Sequence, residues 1–372
     1  RNLSTILNIN TGYGDIFKSS ALIVGYENRR TRWNWFVEGG QIPYVTVGYE
    51  AAGLDGGEYV EVERRLWQVS RQAITGVTYP FSRASRFEIS GGYQNLDFSD
   101  ERRITAYDPF TGQVIGQETI DLSAPRSLNQ GLFSTALVYD NTIFGGTSPI
   151  LGQRYRFELS PRVGDLNYFG ALADFRKYIM PWRPFTFAAR LMHFGRYGSD
   201  AEARWFEIDE DSPPAWANTR VLNDLYLGQP TLVRGYNSGS FSVEECDFNQ
   251  TTGSNTCNSY NPLFGSRVAV GNFEVRIPLL GFFGVIPSAG FPPLEIAPFF
   301  DAGIAWNDAN SPSFSCGSEE TPGLDCREIV TSYGVAARLN LLGFLIMEMD
   351  LVHPNNRPGR GWYFQFNLVQ SF

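Results

Sequence analysis

The chain has 372 residues, a formal net charge of −9, 43% hydrophobic and 15% aromatic residues, 38 glycines and 21 prolines. The acidic balance argues against a nucleic-acid surface, which carries a basic excess, and no stretch approaches the ~20 apolar residues that a spanning helix needs. Abundant aromatics, glycine and proline favour many strands joined by turns, so the composition predicts an all-β chain.

The sequence begins at Arg1 without an initiator methionine or a signal peptide, which reads as a processed or trimmed piece of something longer. Strand-like alternation of apolar and polar residues starts at 3–11 and recurs at 19–26 and 33–39. After an excursion around Gly53 to Gly57 it resumes over 62–79, and Pro80 to Arg83 turn it into 86–98, a long hairpin. Residues 102–122 read as a smaller polar hairpin turning at Asp108 to Gly112, an extension of neighbouring strands into a loop. From Arg154 to Val163 the odd positions are apolar and the even ones charged, Ser160 excepted, so the two sets lie on opposite strand faces. Further strands are expected at 166–178, 184–196, 221–228, 266–278, 294–306, 329–341, 343–352 and 361–371.

Most of these segments have the ~9–11 residues of a membrane-spanning strand rather than the ~5–6 of a soluble sandwich. Trp362, Phe364, Phe366 and Leu368 share one face opposite Tyr363, Gln365 and Asn367. Leu345, Met347, Met349 and Leu351 likewise oppose Glu348 and Asp350. The apolar faces recur without helices to cover them, and short turns alternate with long polar insertions, as on the two rims of an outer-membrane barrel. In lipid every backbone polar group must pair internally, so a closed barrel is the all-β solution. The fold class expected is a transmembrane antiparallel β-barrel spanning 1–372 as one domain, with about fifteen strands visible. Single-chain barrels have even counts, which places a further strand upstream of Arg1, for about sixteen in the complete protein, or else finds it in Tyr44 to Glu50 or 102–122. Trp33, Trp182, Trp306 and Trp362 near strand ends fit an interfacial girdle.

Cys246 with Cys257 and Cys316 with Cys326 form two local pairs in polar stretches, which suits small disulfide-closed loops in an oxidising compartment; free thiols are the alternative. The only histidines are His193 and His353, each in a strand-like segment, so no metal site and no cofactor are expected. No nucleophile–base set stands out among the many carboxylates, and a charged lumen is expected without chemistry, so the segment reads as non-enzymatic.

Four features then occur in one order. Leu232-Val233-Arg234-Gly235-Tyr236 follows Tyr226-Leu227-Gly228 and precedes five strands. Gly271 to Pro278 comes next, then Phe299-Phe300-Asp301-Ala302-Gly303, and the chain closes with Phe364-Gln365-Phe366-Asn367-Leu368 and a terminal Phe372. In this the chain resembles the barrel domain of the BamA/TamA outer-membrane assembly superfamily, which includes two-partner secretion translocators. The resemblance is strongest over roughly the last 150 residues.

The resemblance implies that residues 229–265 form a long loop entering the lumen, where Arg234 meets the acid of the Phe-x-Asp-x-Gly strand. Strand parity places Asp301 with Glu295 and Phe299, opposite Ile296, Phe300 and Ile304, and so inside; Glu274 and Arg276 share that side. Arg234, Gly235, Tyr236, Asp301, Glu274 and Gly303 are the expected lumenal latch, and Phe364, Phe366 and Phe372 the C-terminal assembly signal. The resemblance further implies a bacterial outer membrane, with its lipid and lipopolysaccharide, and a client polypeptide, accessory lipoproteins or a periplasmic module as partners. Two readings of function follow: an assembly or translocation factor working through a lateral seam, or a closed barrel that anchors an upstream module or serves as a passive pore.

Overall fold

The computed structural model describes residues 2–8, 16–55, 58–214, 216–242, 245, 247–249, 254–256, 259–279, 293–310, 312, 327–341 and 345–368. The four cysteines and Phe372 lie outside the described residues.

The strands in chain order are β1 (Asn2–Asn8), β2 (Ala21–Asn28), β3 (Asn34–Asp55), β4 (Glu58–Pro80), β5 (Ser85–Tyr107), β6 (Val114–Leu122) and β7 (Leu128–Asp140). They continue with β8 (Ile143–Phe144), β9 (Pro149–Gly164), β10 (Tyr168–Trp182), β11 (Phe185–Tyr197), β12 (Leu225–Tyr226), β13 (Asp247–Asn249), β14 (Ser254–Thr256) and β15 (Phe264–Gly265). The last are β16 (Arg267–Pro278), β17 (Leu294–Trp306), β18 (Val330–Leu341), β19 (Leu345–Pro354) and β20 (Tyr363–Asn367).

Sixteen of these form one sheet in the order β1-β2-β3-β4-β5-β7-β9-β10-β11-β16-β17-β18-β19-β20, with β6 added beside β5 and β8 beside β9. Every ladder in it is antiparallel, most of them between strands joined by a hairpin connection, while β11 pairs with β16 across a long one. Among the described residues no ladder joins β1 to β20.

The two faces have opposite chemistry. Leu191, Phe273, Phe300, Val335, Met349 and Phe364 all point outward and stay exposed, Leu191 at 68% and Phe364 at 80%. A contiguous apolar surface of this extent does not belong on a protein bathed in water; it is the outer band of a membrane barrel. Aromatics border the band at both rims. Trp33 packs on Tyr79 at one, and His353 and Tyr333 meet Trp362 at the other. Inward, successive strands carry charge: Arg156 pairs with Glu88 at 2.9 Å, and Asp174 receives Arg176 at 2.7 Å and Arg190 at 2.9 Å.

Three segments depart from the strand pattern read in the sequence. The expected excursion at Gly53 is absent as far as Asp55: β3 and β4 stay paired through Leu54↔Tyr59, across a register shift between Tyr49 and Ala51, so the strand character at Tyr44 to Glu50 belongs to one 22-residue strand. Residues 221–228 are not a barrel strand; only Leu225–Tyr226 are extended, pairing with Phe264–Gly265 in the lumen. β7, a full barrel strand, has no counterpart in the predicted set.

β3, β4 and β5 have 22, 23 and 23 residues, at least twice what a bilayer needs. Leu96 of β5 is opposite Leu128, where β7 begins, so beyond that level β3 to β5 leave the barrel and continue as a four-stranded flap with β6.

Candidate functional site

The connection from β11 to β16, residues 198–266, is longer than the 229–265 expected to enter the lumen. Its interior cluster of Leu227, Val233, Tyr236 and Leu263 packs against Val268, Val270, Ala305 and Val330 on the barrel wall. A second cluster, Leu96, Leu128, Leu166 and Trp205, ties the connection's first half to the opposite wall. The loop is thus an apolar plug seated on inward-facing strand residues.

At its turn lies Arg234, fully buried. Its Nε and Nη2 donate to Asp301 Oδ2 and Oδ1 at 2.7 and 2.9 Å, its backbone N–H adds a bond to Oδ2 at 3.2 Å, and Nη1 donates to Glu274 at 2.8 Å. The planar fork of arginine meets a carboxylate side-on in this way, which lysine cannot do. The guanidinium also lies 3.5 Å from the centroid of the Phe299 ring, capping its face. Burial works against the charge, yet Asp301 and Glu274 outweigh it and hold the guanidinium above its ordinary range.

Glu274 is shared. Arg338 Nη2 and Nη1 donate to its two oxygens at 2.6 and 2.9 Å, and Arg276 Nε at 2.8 Å. Arg338 also donates to Glu295 at 3.1 Å and bonds Glu348. Asn272 Nδ2 bridges Asp301 at 2.9 Å and the carbonyl of Leu232 at 2.7 Å. The result is one buried lattice in which the loop arginine is a member beside strand residues of β16 to β19. Deleting one partner of such a pair leaves an uncompensated charge and costs ~3–5 kcal/mol.

Gly235 sits at φ +90°, a conformation that side chains rarely adopt, and a Cβ there would lie 2.9 Å from Val352 Cγ2. Its N–H donates to Gln365 Oε1 on β20 at 3.1 Å. Tyr236 is fully buried; its hydroxyl donates to Thr331 O at 2.9 Å and accepts from the Asn356 N–H at 3.1 Å, and burial pushes its pKa up to about 12. Gly303 makes room: a Cβ would stand 2.7 Å from Val233 Cγ2 and 2.9 Å from Leu227 Cδ1.

The structure therefore brings Arg234, Gly235, Tyr236, Asp301, Glu274 and Gly303 together. Phe364 and Phe366 point the other way, outward from β20. Sequence reasoning missed Arg357, in the connection between β19 and β20. It is 2% exposed, donates to Gly235 O at 2.9 Å and Ser240 O at 2.9 Å, and forks onto Glu245 at 2.8 and 2.7 Å. No periodicity marks a loop arginine, whereas the inward parity of Arg338, Glu348 and Gln365 was available as a signal.

The profile of the Omp85 superfamily domain matches residues 63–372. The chain belongs to the Omp85 superfamily. BamA from Haemophilus ducreyi lacking POTRA domains 1-3 shares its fold, with a TM-score of 0.53, 11% identity, and coverage of 98% of this chain and 74% of that one. CdiB from Acinetobacter baumannii gives a TM-score of 0.39 at 10% identity, covering 98% of this chain and 58% of that one, a likeness too weak to bear on the fold. No curated protein matches the chain. Among the described residues of this Omp85 barrel no group of His, Cys, Asp or Glu is placed to hold a metal ion.

Proposed function

We propose that this chain is the outer-membrane barrel of a protein-assembly or polypeptide-translocation machine, and that its lumenal loop is a latch coupled to a lateral seam beside β20. Omp85 membership supports the assembly or translocation class. The observation that carries the latch reading is the fourfold anchoring of Arg234 to Asp301 and Glu274 inside the barrel. Through Gly235 the same loop is bonded to Gln365 on the last strand of the path, so loop position and strand position are mechanically linked. A terminal strand that parts from its neighbour offers an unpaired edge to an incoming polypeptide, which adds by β-augmentation. No chemical step on the client is required of the barrel, and we read it as non-enzymatic.

The test is reconstitution in liposomes with an unfolded barrel client, alongside cysteine pairs scanned between 363–367 and the strand that faces them across the seam. The reading expects faster client insertion or uptake, abolished by a disulfide across the seam and restored by reductant. Ion conductance that neither a client nor the disulfide alters would instead make the barrel a closed anchor or passive pore.

A further inference from the structure

The flap carries an edge that the barrel does not use. β6 pairs with β5 from Asp100↔Leu122 to Ala106↔Gly116, and among the described residues nothing pairs with its other side. Eight of its nine residues are exposed, and Gly116–Leu122 is a regular seven-residue run, the register shift falling before it, between Ala106 and Tyr107 of β5.

An open edge presents a row of free N–H and C=O groups, and proteins normally blunt it with proline, charged side chains (lysine above all), a bulge or a cover. The other free edge of the flap shows this protection. Among the described residues β3 beyond Gln41 has no partner but β4, and it carries Pro43 and a register shift between Tyr49 and Ala51. β6 has no proline and no basic residue; its only charges are Glu118 and Asp121, and neither has an ion-pair partner among the described residues. Being on opposite faces, they would flank an added strand on both sides.

Charge extends the argument. Residues 42–68 and 98–122 hold ten carboxylates against four arginines and no lysine, which is six of the chain's net −9. Arg64 is bonded to Asp100 through Nε at 2.9 Å and Arg65 to Glu63 at 2.8 Å, and Lys18, from outside the flap, is spent on Glu101. An acidic strand approaching β6 meets like charges, whereas a basic one meets unpaired carboxylates.

We propose that the outer edge of β6 over Gly116–Leu122 is a docking site for a basic, extended polypeptide segment, which adds as a further strand of the flap. Backbone hydrogen bonds supply the attachment, and Glu118 and Asp121 select the charge. This site is separate from the β20 seam and does not depend on it.

The experiment uses the full chain in zwitterionic-lipid nanodiscs and two labelled nine-residue peptides alternating threonine and valine with either lysine or glutamate. Fluorescence anisotropy at moderate salt is expected to show the lysine peptide binding at least tenfold more tightly than the glutamate peptide. The double variant E118K/D121K is expected to invert that preference, which a merely structural role of the two acids would not do. Two forms of the lysine peptide, N-methylated on alternate sets of amides, separate strand addition from charge adsorption: one set should lose binding tenfold and the other should keep it. Equal binding of both methylated forms, no binding of the lysine peptide, or an unchanged preference in the double variant would each overturn the proposal.

Discussion

Arg357 Nη1 donates to the carbonyl oxygen of Gly235 at 2.9 Å, joining the connection that precedes the last strand to the turn that holds Arg234. The same guanidinium forks onto Glu245 and lies 3.8 Å from the centroid of the Phe241 ring. The loop is therefore clasped from above by Arg357 and from below by Asp301 and Glu274. Arg357→Ala is expected to release the 237–245 segment while leaving Arg234 seated. Limited proteolysis should then cut that segment at least tenfold faster, with barrel heat-modifiability on gels unchanged.

The upper clasp is pH-dependent in a definite direction. The hydrogen bond from Arg357 holds the Glu245 carboxyl below its usual range, against a smaller opposing effect of burial. A carboxyl lowered by docking stabilises the docked loop fully above its free value of ~4.3, and that contribution fades as pH falls through the depressed value. Hydroxyl-radical footprinting at Phe241 should therefore be flat from neutrality to about pH 5 and rise below about pH 4. Glu245→Gln should show higher labelling at neutral pH and no rise in acid.

The lower clasp depends on geometry as much as on charge. Arg234→Lys keeps a cation but cannot fork onto Asp301 while reaching Glu274, and it leaves buried acceptors unmet. It should lose most of the ~3–5 kcal/mol that complete removal of a buried partner costs. Asp301→Ala should behave like Arg234→Ala, and the double variant should be no worse than either single one. Unfolding midpoints in detergent for the cycle, with protease protection of the loop, check this; strict additivity would dissolve the pairing.

What the sequence made legible, and what it hid, follows from where the lumen is filled. Asp301 and Glu274 could be placed inside by parity because charge and apolar residues alternate around them, Glu274 and Arg276 against Phe273 and Val275, Glu295 and Asp301 against Ile296 and Phe300. β7 escaped notice because four of its inward residues, Leu128, Leu132, Ala136 and Val138, are themselves apolar and none is charged, so alternation fades. Leu128 is apolar because Trp205 and Leu166 cover it there. The same plug explains the misread 221–228 segment: Leu225, Tyr226 and Leu227 are apolar because they pack on Leu263 and Val268, not because they face lipid. Arg357 left no trace, since a loop residue's partners are fixed by tertiary approach alone.

Gly303 tests whether the plug fits as tightly as its contacts indicate. Gly303→Ala would press a methyl group against Val233 and Leu227, side chains already locked in the plug core. Overpacking of this kind costs ~1–3 kcal/mol. The expected result is a loop that becomes protease-sensitive although every bond of Arg234 remains chemically available. Gly271→Ala is the control: its Cβ would meet nothing closer than Leu191 Cδ2 at 3.6 Å, so protection should persist.

The outward face supplies a prediction that separates a lipid-exposed wall from a soluble one. Leu191 on β11 is exposed, while its neighbour Arg190 turns inward to fork onto Asp174 at 3.0 and 2.9 Å. In water an exposed Leu191→Arg would be nearly neutral, since an added surface charge is well solvated. In a bilayer an arginine on the lipid face costs ~2–4 kcal/mol at the midplane and little near the interfaces. Leu191→Arg, compared with Trp182→Arg near the rim, should therefore lower folding yield into vesicles much more strongly than the rim substitution. Equal, small effects at both positions would mean that this face is wet, and would remove the membrane from the reading of the barrel.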